Sequence, residues 1–226
     1  MTHFSDGVRT GGTYYGRADS GQLGTPMPSL YVKEFGAITT LDADGICVAA
    51  TATAAATLSA TGALVSGGVA TFDVARAVSI TATGNNSTIS LTFTGTDEYG
   101  AAMTETVVGP NATTVTGIKA FKTVSAVTVS GATVSALNVG SADKFGFPVR
   151  IGDKGKVIAV SVDGITQTSL TIVAGFAATG TSTATTADVR GTFVPGTAAN
   201  GSVRFTAVML VGDNSSKTGT YGADQA

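Results

Sequence analysis

Thr88-Ile89-Ser90-Leu91-Thr92-Phe93-Thr94 carries an apolar residue at every second position and a hydroxyl residue between. Successive side chains of a strand point to opposite faces. Ile89, Leu91 and Phe93 therefore share one face, and Ser90, Thr92 and Thr94 the other. β-Branched Thr and Val suit such a pleated, half-buried surface. The same grammar spreads in both directions. Ser79-Ile80-Thr81-Ala82-Thr83 alternates before it, and Lys122-Thr123-Val124-Ser125-Ala126-Val127-Thr128-Val129-Ser130 after it. Further strands are predicted over residues 45–49, 103–108, 134–139, 156–162, 169–173, 189–194 and 203–211. Turn chemistry separates them: Asp97-Glu98-Tyr99-Gly100, Gly109-Pro110-Asn111, Asp163-Gly164, Gly196 and Asn200-Gly201. No stretch shows helical periodicity with caps, and the Ala-rich residues 49–63, interleaved with Thr, read as strand or loop. Short strands joined by turns describe an all-β chain, an antiparallel β-sandwich or jelly-roll-like barrel.

The flanks differ from this body. Residues 1–30 hold six glycines and two prolines (Pro26, Pro28) with little apolar periodicity, and cannot nucleate a core of their own. They are read as an extended Gly-rich N-terminal arm. Its candidate partner-binding residues are Arg9, Tyr14, Tyr15 and Arg17, because Tyr and Arg are common interface anchors. The β-sandwich is expected over residues 31–212, with a soft boundary near 145–152 at the apolar turn Phe145-Gly146-Phe147-Pro148, and a polar tail over 213–226. Residues 177–186 read as an exposed low-complexity loop.

Composition narrows the chemistry. The 226 residues include 38 Thr, 34 Ala and 30 Gly, no Trp, one His and one Cys, with a net charge of −2. One His (His3) leaves no His-based triad and no multi-His metal site. One Cys (Cys47) excludes an intrachain disulfide framework and a cysteine zinc cluster; between Ile46 and Val48 it reads as a small core residue. The 13 basic residues are scattered and form no nucleic-acid patch. Mean hydropathy is +0.31, yet the apolar runs are short, as in Ala207-Val208-Met209-Leu210-Val211, far below the roughly 20 residues of a spanning helix. No basic segment followed by an apolar one opens the sequence, so synthesis in a cytoplasm is expected.

The residues that could carry chemistry each have a plainer reading. Asp42-Ala43-Asp44-Gly45 has the opening spacing of a calcium loop, but Ile46, Cys47 and Val48 follow where ligands belong, so it reads as a turn. Asp97, Glu98 and Glu105 gather carboxylates near one hairpin. Asp97 and Glu98 sit where a turn is expected, and Glu105, between Thr104 and Thr106, reads as a solvated strand position. Lys119 and Lys122, flanking Phe121, read as a solvated strand edge that guards against aggregation. Gly11-Gly12 and Gly67-Gly68 lack the Lys-Thr and helix of a phosphate loop. The sequons at Asn85, Asn86, Asn111 and Asn214 read as chance in a Ser/Thr-rich chain. The expectation is a non-enzyme without cofactor or metal.

Thr94-Gly95-Thr96-Asp97-Glu98-Tyr99-Gly100, then 103–111 (MTETVVGPN), 114–117 (TVTG) and 119–124 (KAFKTV), resemble a pattern in virion structural proteins of tailed bacteriophages. Residues 188–195 (DVRGTFVP) resemble segments of phage head proteins. The clear resemblance covers about residues 76–130. It implies a capsid or tail component made in a bacterial cytoplasm, and brings no catalytic residues. The leading expectation is a capsid decoration, or cement, protein on the outer surface of the major capsid protein shell, self-assembled as a homo-oligomer, a trimer at symmetry axes. A tail, fibre or adaptor component of the same virion is the alternative. A carbohydrate-binding module or adhesin is a third reading, weakened by the absence of Trp for sugar stacking. Neither nucleic acid nor membrane is expected as a partner.

Overall fold

The structure, a computed structural model, describes residues 29–175 and 188–211. The arm residues Arg9, Tyr14, Tyr15 and Arg17, the low-complexity loop 177–186 and the whole polar tail 213–226 lie outside these. Antiparallel strands fill the described residues, and no α-helix is found among them. In chain order they are β1 (Ser29–Ala37), β2 (Cys47–Ala50), β3 (Ala56–Thr57), β4 (Val65–Ser66), β5 (Val69–Ala82), β6 (Ser90–Thr96), β7 (Ala102–Val108) and β8 (Thr114–Thr116). Then follow β9 (Phe121–Val129), β10 (Leu137–Gly146), β11 (Val157–Val162), β12 (Ile165–Thr166), β13 (Thr171–Ala174), β14 (Gly191–Val194) and β15 (Arg204–Val211).

The larger sheet runs β13-β14-β10-β5-β9-β6-β7, with β2, β3, β4 and β8 attached, and curls into a half-barrel. The smaller sheet runs β1-β15-β11-β12. The alternating stretch around Phe93 forms β6, and it pairs with β7 through a tight hairpin. Asp97 closes that hairpin: its Oδ1 accepts from the Tyr99 and Ala101 N–H groups, each at 2.9 Å. Gly100, at φ +81, supplies the left-handed position. Gly95 answers a different need. At the register shift between β6 and β9, a Cβ on residue 95 would lie 1.9 Å from the Thr123 carbonyl oxygen.

Two buried clusters fill the interior. One gathers Ile46, Cys47, Val78, Ile80, Leu91, Phe93, Phe121 and Val139 inside the half-barrel. The other gathers Ile38, Phe145, Phe147, Val160, Phe193, Phe205 and Met209, and joins the inner face of the small sheet to β10 and β14. Phe145 lies 5.6 Å from Phe193 and 5.8 Å from Phe205, centroid to centroid. Burying each such ring contributes about 1.5–3 kcal/mol. β10 crosses both clusters, with Leu137 and Val139 in the first and Phe145 in the second.

Two strands run well beyond their sequence-predicted spans. β5 starts at Val69 rather than 79, and β10 ends at Gly146 rather than 139. Both extensions pass a register shift, between Thr71 and Arg76 and between Ser141 and Phe145, where alternation breaks and the pattern fades. β9 lies between β5 and β6, so Lys122 is on an interior strand and not on a sheet edge as expected.

Candidate functional site

Asp42–Gly45 forms a turn. The Asp42 carboxylate accepts from the Asp44 N–H at 3.3 Å, and the Asp42 N–H donates to Ser141 Oγ at 2.9 Å. Gly45 packs so tightly that a Cβ would meet Leu64 at 2.7 Å and the Asp42 carboxyl at 2.8 Å. Among the described residues, no group of three His, Cys, Asp or Glu side chains is placed to hold a metal. Cys47 is buried, and burial pushes its thiol up to about 11, so it is a weak nucleophile at neutral pH.

Glu105 and Lys119 depart from expectation. Glu105 is 1 % exposed and Lys119 fully buried. β7 is the edge of the large sheet, and Glu105 points inward from it with Met103 and Val107. Its carboxylate accepts from the Ile118 and Lys119 N–H groups. Burial raises its pKa, against the lowering effect of those two N–H groups and of Lys144 and Lys119. Burial lowers both lysines, against the attraction of Glu105 and Asp188. Gly117 makes the space, since a Cβ there would stand 2.8 Å from Glu105 Oε2. The Thr104-Glu105-Thr106 alternation was legible; which row faced the core depended on a partner loop 13 residues away.

Asp97 is 1 % exposed, and its Oδ2 accepts from Arg190 Nη2 at 2.6 Å. The Arg190 guanidinium lies 4.7 Å from the centroid of the Tyr99 ring, and the Tyr99 hydroxyl donates to the Pro148 carbonyl. Asp188 accepts from the Ala120, Arg190 and Gly191 N–H groups. Arg76, which the sequence did not single out, is equally buried. It donates to Asp143 at 2.7 Å and to the Ala142 and Thr39 carbonyls, and lies 5.1 Å from the Phe145 ring centroid. Each of these carboxylates is held by backbone N–H groups or by an arginine. They act as internal pins across sequence-distant strands, and a glycosidase-like pair facing a substrate is not formed by them.

Two open surfaces stand out among the described residues. A cleft of about 610 Å³ lies over β5, β8 and β10, lined by Leu41, Thr81, Thr116, Lys144, Val173 and Val194. Several of its polar groups are already bonded: the Thr81 and Thr114 hydroxyls pair at 2.8 Å, and Lys144 Nζ donates to the Gly117 carbonyl at 3.0 Å. The second surface is the outward face of the small sheet. The register pairs Leu30 with Leu210 and Val32 with Val208, which places all four side chains in one block opposite the buried row of Ala207 and Met209. Leu30 is 63 % exposed and Val32 53 %. Farther along the same face the row turns polar, with Glu34, Thr206 and Arg204 beside a dip of about 320 Å³. Ser29 pairs with Val211, so residues 1–28 and 212–226 both attach at the aliphatic end.

No protein-family model, no curated protein and no solved structure matches this chain.

Proposed function

We propose that the chain is a non-enzymatic structural protein of a tailed-bacteriophage virion, a capsid decoration protein that binds the outer surface of the major capsid protein shell and stabilises it. The observation that carries this reading is a division of labour. Asp97, Asp188, Glu105 and Arg76 are bonded to backbone or to one another, while an aliphatic sheet face lies open beside both ends of the described residues. Such a molecule is equipped for contact, and the sequence resemblance supplies the setting. The arm, read from the sequence as residues 1–30, gives its last two residues, Ser29 and Leu30, to β1, and the rest carries Arg9, Tyr14, Tyr15 and Arg17 as anchors on the shell. Many identical lattice sites offset the ordering cost of each arm by multivalency. The protein is made in the bacterial cytoplasm, functions as a homo-oligomer on the virion, and needs no cofactor.

Cryo-electron microscopy of virions with and without the protein tests this. Density outside the shell, lost together with residues 1–28, is expected. Density confined to the portal vertex or the tail would replace the decoration reading by a tail role, and absence from virions would remove the virion reading altogether.

A further inference from the structure

Strands that face water on one side alternate apolar with polar residues, whereas strands covered on both sides read as continuous apolar runs. β15 is of the second kind at its end: Ala207-Val208-Met209-Leu210-Val211 has no polar member. Ala207 and Met209 are buried in the second cluster, but Val208 and Leu210 point the other way. β1 repeats the pattern with Leu30 and Val32. In β6, β7 and β9 most of the corresponding outward positions are hydroxyl residues (Ser90, Thr92, Thr94, Thr104, Thr106 and Thr128), with Val108 at the end of β7 the exposed aliphatic exception. The small sheet thus carries aliphatic residues on both faces of paired strands, the pattern of a sheet with a second cover; β13 and β14 show a smaller case, with Val173 and Val194 outward over the cleft.

We propose that this outward face, centred on Val32 and Val208, packs against the same face of a second copy of this chain. Three observations select that occupant. First, the block is uniformly aliphatic, Leu beside Leu and Val beside Val, so the same patch on a second copy meets it apolar to apolar, as a two-fold contact of one patch with itself can. Second, its polar margin holds both an acid, Glu34, and a base, Arg204, and the chain's net charge is only −2, so two copies meet without a strong like-charge barrier. Third, the segments outside the described residues lack the alternating aliphatic run that would cover a sheet. Residues 212–226 contain no Leu, Ile, Val or Met beyond Val211, and residues 1–28 contain only Val8 and Leu23 besides two Met. One patch meeting its own copy closes as a pair, whereas a trimer needs two different complementary surfaces. This inference starts from the same aliphatic face as the proposed function, but pairing through it does not require that the chain belong to a virion.

The test places a thiol in the face. In Val32→Cys full-length protein the engineered thiol is followed by alkylation, with Cys47 buried and its thiol pushed up to about 11. Raising the protein from about 1 to about 100 μM is expected to slow alkylation roughly tenfold by mass action. Adding Val208→Lys in the same chain is expected to abolish that concentration dependence while circular dichroism stays that of a folded β protein. Fast alkylation at all concentrations would overturn the proposal, because the face is then bare. Slow alkylation at all concentrations would overturn it too, because the chain's own termini then cover the face.

Discussion

The outward faces of the two sheets obey one period and differ in chemistry. On β6, β7 and β9 the solvent row is mostly threonine, and its hydroxyls pair across strands, Thr92 with Thr106 at 3.0 Å and Thr96 with Thr123 at 2.7 Å, with Val108 an isolated exposed aliphatic at the end of β7. On β1 and β15 the row is Leu30, Val32, Val208 and Leu210. A threonine row keeps the β-branched shape that suits a strand and still satisfies water. A Leu/Val row exposes aliphatic surface worth roughly 25 cal/mol per Å² once covered. The comparison separates a face built to remain bare from one built to be covered. The sheet edges differ in the same sense. β7 is guarded by the inward Glu105, and β12 and β13 are short, whereas β1 is nine residues long.

The largest expected effects lie beneath the two faces. Phe93→Ala under the threonine face and Phe205→Ala under the aliphatic face should each lower stability by about 3–5 kcal/mol, read from urea unfolding. Only the aliphatic side should also make the unfolding midpoint of the parent protein depend on protein concentration, since pairing adds to stability by mass action. Asp97→Ala strands Arg190 in the interior and leaves the hairpin N–H groups without their acceptor, so a loss of about 3–5 kcal/mol is expected. Asp97→Asn with Arg190→Met keeps the Oδ1 acceptor and removes the orphaned charge, and should cost clearly less; an equal cost would show that the ion pair is not what the site contributes.

Next in size is the conversion of one face into the other. Val32→Thr with Val208→Thr gives the small sheet a threonine row. Pair formation should weaken by on the order of 1–3 kcal/mol while the fold is kept, measured by sedimentation equilibrium. The smallest effect is a pH dependence beneath the threonine face. Burial raises the Glu105 pKa above its ordinary 4.5, so the folded state holds this proton more tightly than the unfolded one. The resulting stabilisation is complete below pH 4.5 and disappears as pH rises through the raised folded value. Glu105→Gln should flatten the stability profile over that window; an unchanged slope would assign the dependence to another group.

Much of this fold was legible in the sequence. Alternation around Phe93 and in residues 103–108 and 203–211 gave the strands nearly to the residue, because those strands keep a regular register. The first ten residues of β5 and the end of β10 were not legible, because register shifts break the period there. The buried charges were hidden for a different reason. Glu105 and Lys119 sit in polar contexts that read as solvated, and Arg190 meets Asp97 across 93 residues of chain. Local pattern carries no information about such partners. The arm anchors Arg9, Tyr14, Tyr15 and Arg17 lie outside the described residues, and their role rests on the sequence alone. The aliphatic face was in view as the run 207–211, but its meaning required knowing which of its residues the second cluster had already buried.

The most direct test of this account is the solution mass of the full-length chain and two matched variants. Sedimentation equilibrium at about 100 μM should give twice the chain mass for the parent and for Thr92→Lys, and the single-chain mass for Val208→Lys. A single-chain mass for the parent, or a pair that survives Val208→Lys, would contradict it.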